Sequence, residues 1–506
     1  MNSTGIDARQ GDVTERPELR PVAQWHREVC ELVAAGHRFA GLYGCETGTG
    51  CRVTALVAMP GSIAAVHTLV EPDPVGIRRY PALSPVIPAA LWYERALHDL
   101  SGVVPQGHPR LDPLLLAPID GLTPPRPGGK ESAVLRPAVE HLEAADVSGR
   151  GVFTMPFGPV RSGVTESIEF LIETPGEDIP HLRVRPHHKH RGVAKAFEGQ
   201  DVETGVLVAE RVEGIAAVAH ALAYCHAVEG LAGVVVPPAA ARIRVVHAEL
   251  ERIANHLEVV ARLTDAAGLS VATARFGWHK ERVQRLVSAA CGHRFGRGVV
   301  VPGGVAAAPR LPGAELLAGL RQVVTAVARD ARALLNTASF LDRVRGTGLL
   351  DPDLARRYGV LGPLGRGSGF DDDDRWARGY DAYPLLSPAR STRDSGDAAA
   401  RLRVRLDEIE DSLQLVAEVV GLGGWGGGLR VPLRPRDGFA LGWAEAPQGE
   451  VLYALDLRAG RVARCLARSA SLHDMLMMHH VFHTEVLTDF AFIEASFGLS
   501  AAGVAM

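Results

Sequence analysis

The chain has 506 residues, which is enough for two or three domains with cores of their own, so disulfide bonds are not needed for stability. With 47% hydrophobic and 22% charged residues, the composition excludes a disordered, collagen-like or coiled-coil protein. The chain has 54 basic and 58 acidic residues and no long Lys/Arg run. The composition therefore gives no basis for nucleic-acid binding through a basic surface.

The six cysteines are scattered and form no CxxC pair, which argues against a zinc ribbon and favours a reducing, cytosolic compartment. The first twenty residues are polar and lack the apolar segment of a secretory signal. The most apolar stretch, 214–241, is interrupted by ionisable residues and a Pro-Pro pair, so it predicts a buried helix rather than a membrane span. Any attachment to a membrane is therefore expected to come through partner proteins.

The sequence predicts an α+β protein with two domains joined by a linker. Residues 21–118 combine a helix near 24–34 with short β-type runs such as 52–57, which indicates a small α/β domain. Residues 119–148 contain the Pro- and Gly-rich composition of a linker. The remainder, 149–506, is predicted to be a larger, mostly helical domain with a few strands.

Within the larger domain, residues 167–173 alternate as a strand does. Apolar residues recur at helical spacing over 244–264, which predicts an amphipathic helix with one face in the core. A loop-rich zone is expected over 346–399, followed by helices at 401–421 and 471–488.

Several short motifs invite a functional interpretation, but each has a simpler one. Gly44–Gly50 and Gly423–Gly428 lack the Lys-Ser/Thr of a phosphate-binding loop and predict turns. His479 and His483 lie one helical turn apart and could bind a metal, although the Glu of an HExxH motif is missing. The run Asp371–Asp374 lacks the spacing of a calcium loop and predicts a solvated loop. A metal hydrolase built on the two histidines stays open as a distant alternative.

Two sets of residues resemble a known family. The first domain resembles the C-type subunit of NADH-quinone oxidoreductase (complex I) and its hydrogenase counterparts, through Trp92, Tyr93, Glu94, Arg95, Asp99, Gly102, Gly107, His108, Pro109 and Leu111. The second domain resembles the D-type subunit in ordered matches over most of its length, which include Gly158, Pro159, His190, Arg191, Gly192, Pro237, Arg242, Arg244, Glu249, Arg252, His256, Gly303, Gly304, Gly359, Arg366, Ser368, Tyr380, Tyr383, Asp397, Arg401 and Arg405.

The family has a quinone-reducing branch and a branch of large subunits of membrane-linked group 4 NiFe hydrogenases, such as formate hydrogenlyase. The fusion of the two subunits, the stretch from Glu210 to Tyr224 with His220, and Glu166 at the place of a proton-transfer glutamate all resemble the hydrogenase branch. The quinone-contacting His and Tyr of the other branch are expected near Thr165 and Val202, and neither is found there.

The chain departs from that branch where the metal would bind. The resemblance implies four cysteine ligands, and the corresponding positions hold Glu213, Ala216, Ser500 and Gly503, while the active-site arginine becomes Gln448. Because soft thiolates hold nickel and iron in this family, we predict no NiFe centre and no metal or other cofactor firmly bound by this chain.

Five ionisable residues remain as candidates for a proton relay. The resemblance implies that Glu166 and Glu213 face the cavity of the missing metal, where burial would raise a carboxyl pKa, and that His190, Arg191 and His220 extend the relay. The alternative is that these residues make structural hydrogen bonds between helices.

The resemblance also implies partners and a location. We predict an iron-sulfur small subunit that carries the electron-donating cluster, integral membrane subunits, a peripheral position at the cytoplasmic face of the membrane, and a first domain that serves assembly rather than chemistry. Two alternatives stay open, namely quinone reduction in a remodelled pocket and a non-catalytic scaffold of the same complex.

Overall fold

The computed structural model describes residues 7–8, 17–116, 149–161 and 166–506. The predicted linker, 119–148, lies outside the described residues, as does Thr165. The proposed domain boundaries therefore remain predictions, while the α+β fold class is confirmed by the helices and strands on either side of the gap.

The N-terminal domain is a β-sheet in the strand order β1-β5-β4-β3, with β2 parallel to β5. Helix α1 packs against β4 and β5, and α2 packs against β3, so the predicted helix at 24–34 and strand at 52–57 are confirmed. The elements are β1 (Asp7–Ala8), β2 (Leu19–Arg20), α1 (Val22–Ala34), β3 (Arg38–Glu46), β4 (Cys51–Met59), β5 (Ser62–Val70), β6 (Arg79–Pro81), α2 (Leu91–Ser101) and β7 (Val104–Gln106).

The family signature in this domain holds helix α2 in place. The Glu94 carboxylate accepts a hydrogen bond from the backbone N–H of Leu83 at 2.7 Å, and Asp99 accepts one from Leu114 at 2.8 Å. Gly102 ends the helix at φ +65°, a left-handed conformation that favours glycine. These motif residues are therefore structural.

The larger domain begins with the antiparallel sheet β10-β9-β8 and continues as a helical body. Its first half comprises β8 (Phe153–Phe157), β9 (Glu169–Thr174), β10 (His181–Arg185), α3 (Val193–Phe197), α4 (Val202–Ala209), α5 (Ala217–Ala232), α6 (Pro238–Ala266), α7 (Ser270–Cys291), β11 (Val300–Val301) and β12 (Gly304–Val305). The predicted strand at 167–173 overlaps β9, which begins two residues later. The predicted helix at 244–264 lies within the longer α6.

Helices α6, α7, α8 and α13 pack on one another, and α5 packs on the meander β13-β14-β15. The predicted helix at 401–421 is confirmed as α13. The second half comprises α8 (Gly313–Leu335), α9 (Ala338–Val344), α10 (Pro352–Tyr358), α11 (Gly362–Arg366), α12 (Asp374–Ala377), α13 (Ala398–Gly421), β13 (Gly438–Ala446), β14 (Gly449–Arg458), β15 (Arg461–Arg468), α14 (Ala470–Asp474), α15 (Phe490–Phe497) and α16 (Ala501–Ala505).

Two sequence expectations were wrong. The helix predicted over 471–488 is only the short α14 and a 3₁₀ turn at Met475–His479, after which the chain turns away and Val486 bridges to Asp178. Met475 and Met478 are both buried, so the apolar residues are enclosed rather than arranged on one helical face. The run Asp371–Asp374 is not a solvated loop, because Asp373 and Asp374 are buried and paired with arginines.

A buried ion network joins the helices of the body. The Glu249 carboxylate contacts Arg252 at 3.2 Å and Arg375 at 3.5 Å, and Glu408 contacts Arg366 at 2.8 Å and His256 at 2.8 Å. All of these groups are buried, and a buried charge requires such a partner. Several family-motif residues thus hold α6, α11 and α13 together.

The two domains share a polar interface. Arg52 of β4 forms a buried ion pair with Asp456 of β14, to which the Tyr43 hydroxyl also donates, and the Arg468 guanidinium donates to the carbonyl of Ala40 at 3.1 Å. Throughout the described ranges, no helix combines the length and apolarity needed to cross a bilayer.

Candidate functional site

The Glu166 carboxylate contacts the start of α16, although Glu166 is far from this helix in sequence. Its carboxylate accepts hydrogen bonds from the Ser500 hydroxyl at 2.9 Å and from the backbone N–H of Ala502 at 3.0 Å. The carboxylate therefore binds the N-terminal turn of a short helix at the C-terminal end of the chain, and Ser500 is itself buried.

Glu213 lies in the segment between α4 and α5 and is almost completely buried. Its Oε1 is 3.1 Å from Nε2 of His220, and its Oε2 accepts a hydrogen bond from the Ser471 hydroxyl at 3.1 Å. The carboxylate therefore connects α5 with α14.

His220 links Glu213 to the sheet. Its Nδ1 is 2.9 Å from the hydroxyl of Tyr453 on β14, and both residues are fully buried. Burial raises the pKa of Tyr453 well above its ordinary value, so the phenol keeps its proton and can donate to Nδ1. His220 then donates from Nε2 to Glu213, which gives an ordered series Tyr453, His220, Glu213.

The two carboxylates are joined through two serines. The backbone N–H of Ser500 donates to the Ser471 hydroxyl at 3.1 Å, so Glu166, Ser500, Ser471 and Glu213 form one hydrogen-bonded group. A backbone N–H does not pass on its proton, so proton transfer between the carboxylates requires a further contact between the two serine hydroxyls.

Arg191 and His190 lie beside this group in different roles. The Arg191 guanidinium donates to the carbonyls of Val212 and Ala502. Burial lowers the pKa of Arg191, and the negative charges of Glu166 and Glu213 partly offset this effect. The His190 ring instead contacts the carbonyl of Ala505 through Nδ1 at 2.6 Å, and burial lowers its pKa. The structure thus brings Glu166, Arg191, Glu213 and His220 together and leaves His190 at the periphery.

Comparisons with known proteins identify the family of the chain. The profile of the respiratory-chain NADH dehydrogenase 30 kDa subunit matches residues 18–126, and that of the 49 kDa subunit matches 267–422. The carbon monoxide-induced hydrogenase of Rhodospirillum rubrum is 30% identical over 306 residues, which are 60% of this chain and 85% of that protein. The chain belongs to this family of complex I 49 kDa subunits and hydrogenase large subunits.

Other relatives match a larger share of the chain. Formate hydrogenlyase subunit 5 of Escherichia coli is 29% identical over 81% of this chain and 71% of its own length. The C/D subunit of NADH-quinone oxidoreductase from Gluconacetobacter diazotrophicus is 29% identical over 79% of this chain and 70% of its own length. A chain of an archaeal membrane-bound sulfane sulfur reductase matches with a TM-score of 0.66 at 23% identity, over 71% of this chain and 99% of that chain, which shows the shared fold.

At the four positions that the resemblance assigns to metal ligands, the residues present do not supply the thiolates that a nickel-iron centre needs. Glu213 and Ser500 offer oxygen, Ala216 and Gly503 offer no ligand atom, and none of the four supplies sulfur. A methyl group at Gly503 would overlap Oε2 of Glu213, so the carboxylate packs directly on this glycine. Within the described residues, no group of three or more His, Cys, Asp or Glu side chains is arranged to hold a metal.

The rings of His479 and His483, the other candidate metal ligands, contact backbone carbonyls. Nδ1 of His479 is 3.0 Å from the carbonyl of Leu476, and Nδ1 of His483 is 3.0 Å from the carbonyl of Pro180. The two rings therefore contact different parts of the chain. This arrangement gives no support to a metal hydrolase.

Sequence reasoning missed three residues of the site, namely Ser471, Tyr453 and Glu251. Glu251 lies on the face of α6 that the sequence separates from the core, yet it accepts hydrogen bonds from the N–H groups of Val218 at 2.8 Å and Ala219 at 3.1 Å. Burial raises its pKa to about 8, and the charge of Glu213 adds to this effect. No local pattern marks these residues, because their partners lie between 29 and 258 positions away.

The contact between Gly503 and Glu213 predicts that Gly503→Ala is destabilising. The added methyl must displace the buried carboxylate from Ser471 and His220, and overpacking of this kind costs about 1–3 kcal/mol. We expect a lower thermal midpoint for Gly503→Ala and recovery in the double variant with Glu213→Ala. Gly277→Ala in α7 is the matched control, because a methyl there contacts nothing within 4 Å. Equal melting of all these variants would contradict the packing described.

The raised pKa of Glu251 predicts a dependence of stability on pH. The unfolded chain loses this proton near the ordinary value of 4.5, whereas the folded chain keeps it until about pH 8. The contribution of Glu251 is therefore fully present below pH 4.5 and decreases as the pH rises to about 8. In Glu251→Gln this decrease should be absent, which a comparison of thermal midpoints between pH 5 and 9 would measure. Parallel curves for the two proteins would refute the assignment.

Proposed function

We propose that this chain is the large subunit of a membrane-associated oxidoreductase complex related to complex I and to group 4 hydrogenases. It carries no nickel-iron centre of its own and couples electron transfer from a partner's iron-sulfur cluster to the movement of a proton or another ion. The observation that carries the proposal is the buried carboxylate of Glu213, held by His220 and Ser471 where the relatives of the hydrogenase branch are expected to have a metal ligand.

The residues support proton transfer by holding a proton at defined atoms. His220 donates its Nε2 proton to Oε1 of Glu213, and Tyr453 fixes the orientation of the imidazole by its contact with Nδ1. A further proton that enters the site can then be held on Oε2 of the carboxylate, beside the Ser471 hydroxyl. Ser471 can rotate its hydroxyl toward or away from Glu213. Arg191 offsets the negative charge of both carboxylates when the proton leaves.

The named relatives support the assembly. Formate hydrogenlyase, carbon monoxide-induced hydrogenase and NADH-quinone oxidoreductase are all oxidoreductases, and the similar sulfane sulfur reductase is a membrane complex. By analogy, this chain docks to an iron-sulfur small subunit and to integral membrane subunits, at the cytoplasmic face of the membrane. Quinone reduction in a remodelled pocket and a purely structural role are the competing outcomes of the tests below.

The first test replaces each carboxylate in the complex assembled with its native partners. Glu166→Gln and Glu213→Gln keep the size of the side chain and remove its titration, so coupled turnover should fall by about 10²-fold or more while assembly is retained. Glu258→Gln is the matched control, since this carboxylate on α6 pairs with exposed Arg262 and partly exposed Lys280 away from the site. Ion movement measured in proteoliposomes that is unchanged in both site variants would refute the coupling role.

The second test is elemental analysis of the same complex. We expect iron and acid-labile sulfide from the partner subunit and nickel far below one atom per complex, because no thiolate occupies the four ligand positions. A value near one nickel per complex would contradict the proposal. Reduction of a soluble quinone analogue, measured on the same sample, would favour the quinone-reducing alternative over the proposed function.

A further inference from the structure

The short helix α14 contacts the carboxylate site on one side and the N-terminal domain on the other. Ser471 donates to Glu213 and accepts from the N–H of Ser500, and the His473 ring, two residues later, contacts the hydroxyl of Tyr93 at 2.8 Å. Tyr93 belongs to α2 of the first domain, 380 residues earlier in the chain. One turn of α14 therefore joins the carboxylate site to the N-terminal domain.

The direction of this hydrogen bond follows from the surroundings of His473. Its Nε2 is 2.9 Å from the carbonyls of both Tyr358 and Gly359, which are acceptors only, so Nε2 carries the proton. Nδ1 must then accept from Tyr93. Burial lowers the pKa of His473 well below its ordinary value and raises that of Tyr93 to about 12, so both groups are neutral.

Tyr93 is held firmly on its own side of the interface. It is 2% exposed, and its ring packs edge-on against Phe39 of β3 at a centroid distance of 5.7 Å. Tyr93 and its neighbours on α2 line a small apolar cavity together with Leu472 of α14 and Ala505 of α16. The first domain thus lies beside α14, which supplies a hydrogen bond to Glu213, and beside α16, which supplies one to Glu166.

We propose that Tyr93 is a positioning residue for the contact between Ser471 and Glu213, through which the fused N-terminal domain takes part in the chemistry of the site rather than in assembly alone. This inference rests on the proposed function of Glu213 in proton transfer. Tyr93 acts through His473, whose position fixes α14 and with it the Ser471 hydroxyl.

The test compares two tyrosines in the full chain with its partners. Tyr93→Phe removes only the hydroxyl that His473 needs, while Tyr43→Phe removes a hydroxyl that donates across the same domain interface to Asp456 and does not reach α14. Ser471→Ala serves as the reference for loss of the Glu213 contact. The measurements are amide hydrogen exchange of Ser500 and the pH profile of coupled turnover.

We expect faster exchange of the Ser500 amide in Tyr93→Phe, turnover reduced by roughly tenfold, and a pH profile displaced in the same direction as in Ser471→Ala. Tyr43→Phe should match the wild type in both measurements. Equal effects of the two tyrosine variants, or no effect of Tyr93→Phe where Ser471→Ala has one, would overturn the inference and leave the proposed function standing. An unchanged pH profile in Ser471→Ala and Glu213→Gln would overturn both.

Discussion

The Glu213 carboxylate lies in the interior of the protein and takes its hydrogen bonds from elements that are distant in sequence. An ionised carboxylate without partners in such a place would cost several kcal/mol, so α5 and α14 must present His220 and Ser471 to it together. Gly503 is required for the same reason, since any side chain there would fill the space of the carboxylate. The relative positions of α5, α14 and α16 therefore depend on one ionisable group.

The hydrogen bonds of Glu213 and Ser500 join the segments to which the resemblance assigns metal ligands. In the hydrogenase relatives, the resemblance places metal-binding cysteines at positions 213, 216, 500 and 503, so that a metal would join the corresponding segments. Here Glu213 and Ser500 join them by hydrogen bonds to neighbouring side chains and backbone. These hydrogen bonds keep the segments adjacent. The side-chain amide of Gln448, by contrast, is buried without a hydrogen-bond partner among the described residues.

The sequence was sufficient where the information is local. The apolar spacing of α6 and the β-type run within β4 predicted these elements. The grouping of Glu213 with His220 came from the resemblance, and the two residues lie close to the start of α5. Local patterns failed at 471–488, because the apolar residues there are buried on all sides and do not line one face of a helix. They also failed for Tyr93, Glu251 and Tyr453, whose partners are brought near only by the tertiary fold. The resemblance supplied Glu166, for which spacing alone gives no reason.

The interface between α2 and α14 also bears on how the chain acquires its structure. Its partners are separated by 380 residues, so a ribosome must synthesise all the residues between them before Tyr93 can meet His473. The N-terminal sheet can form early, yet its apolar and polar contact surface stays uncovered while those residues are made. Closure of this interface is thus a late event in biogenesis, and a chain that stops before α14 would leave that surface available to chaperones and proteases.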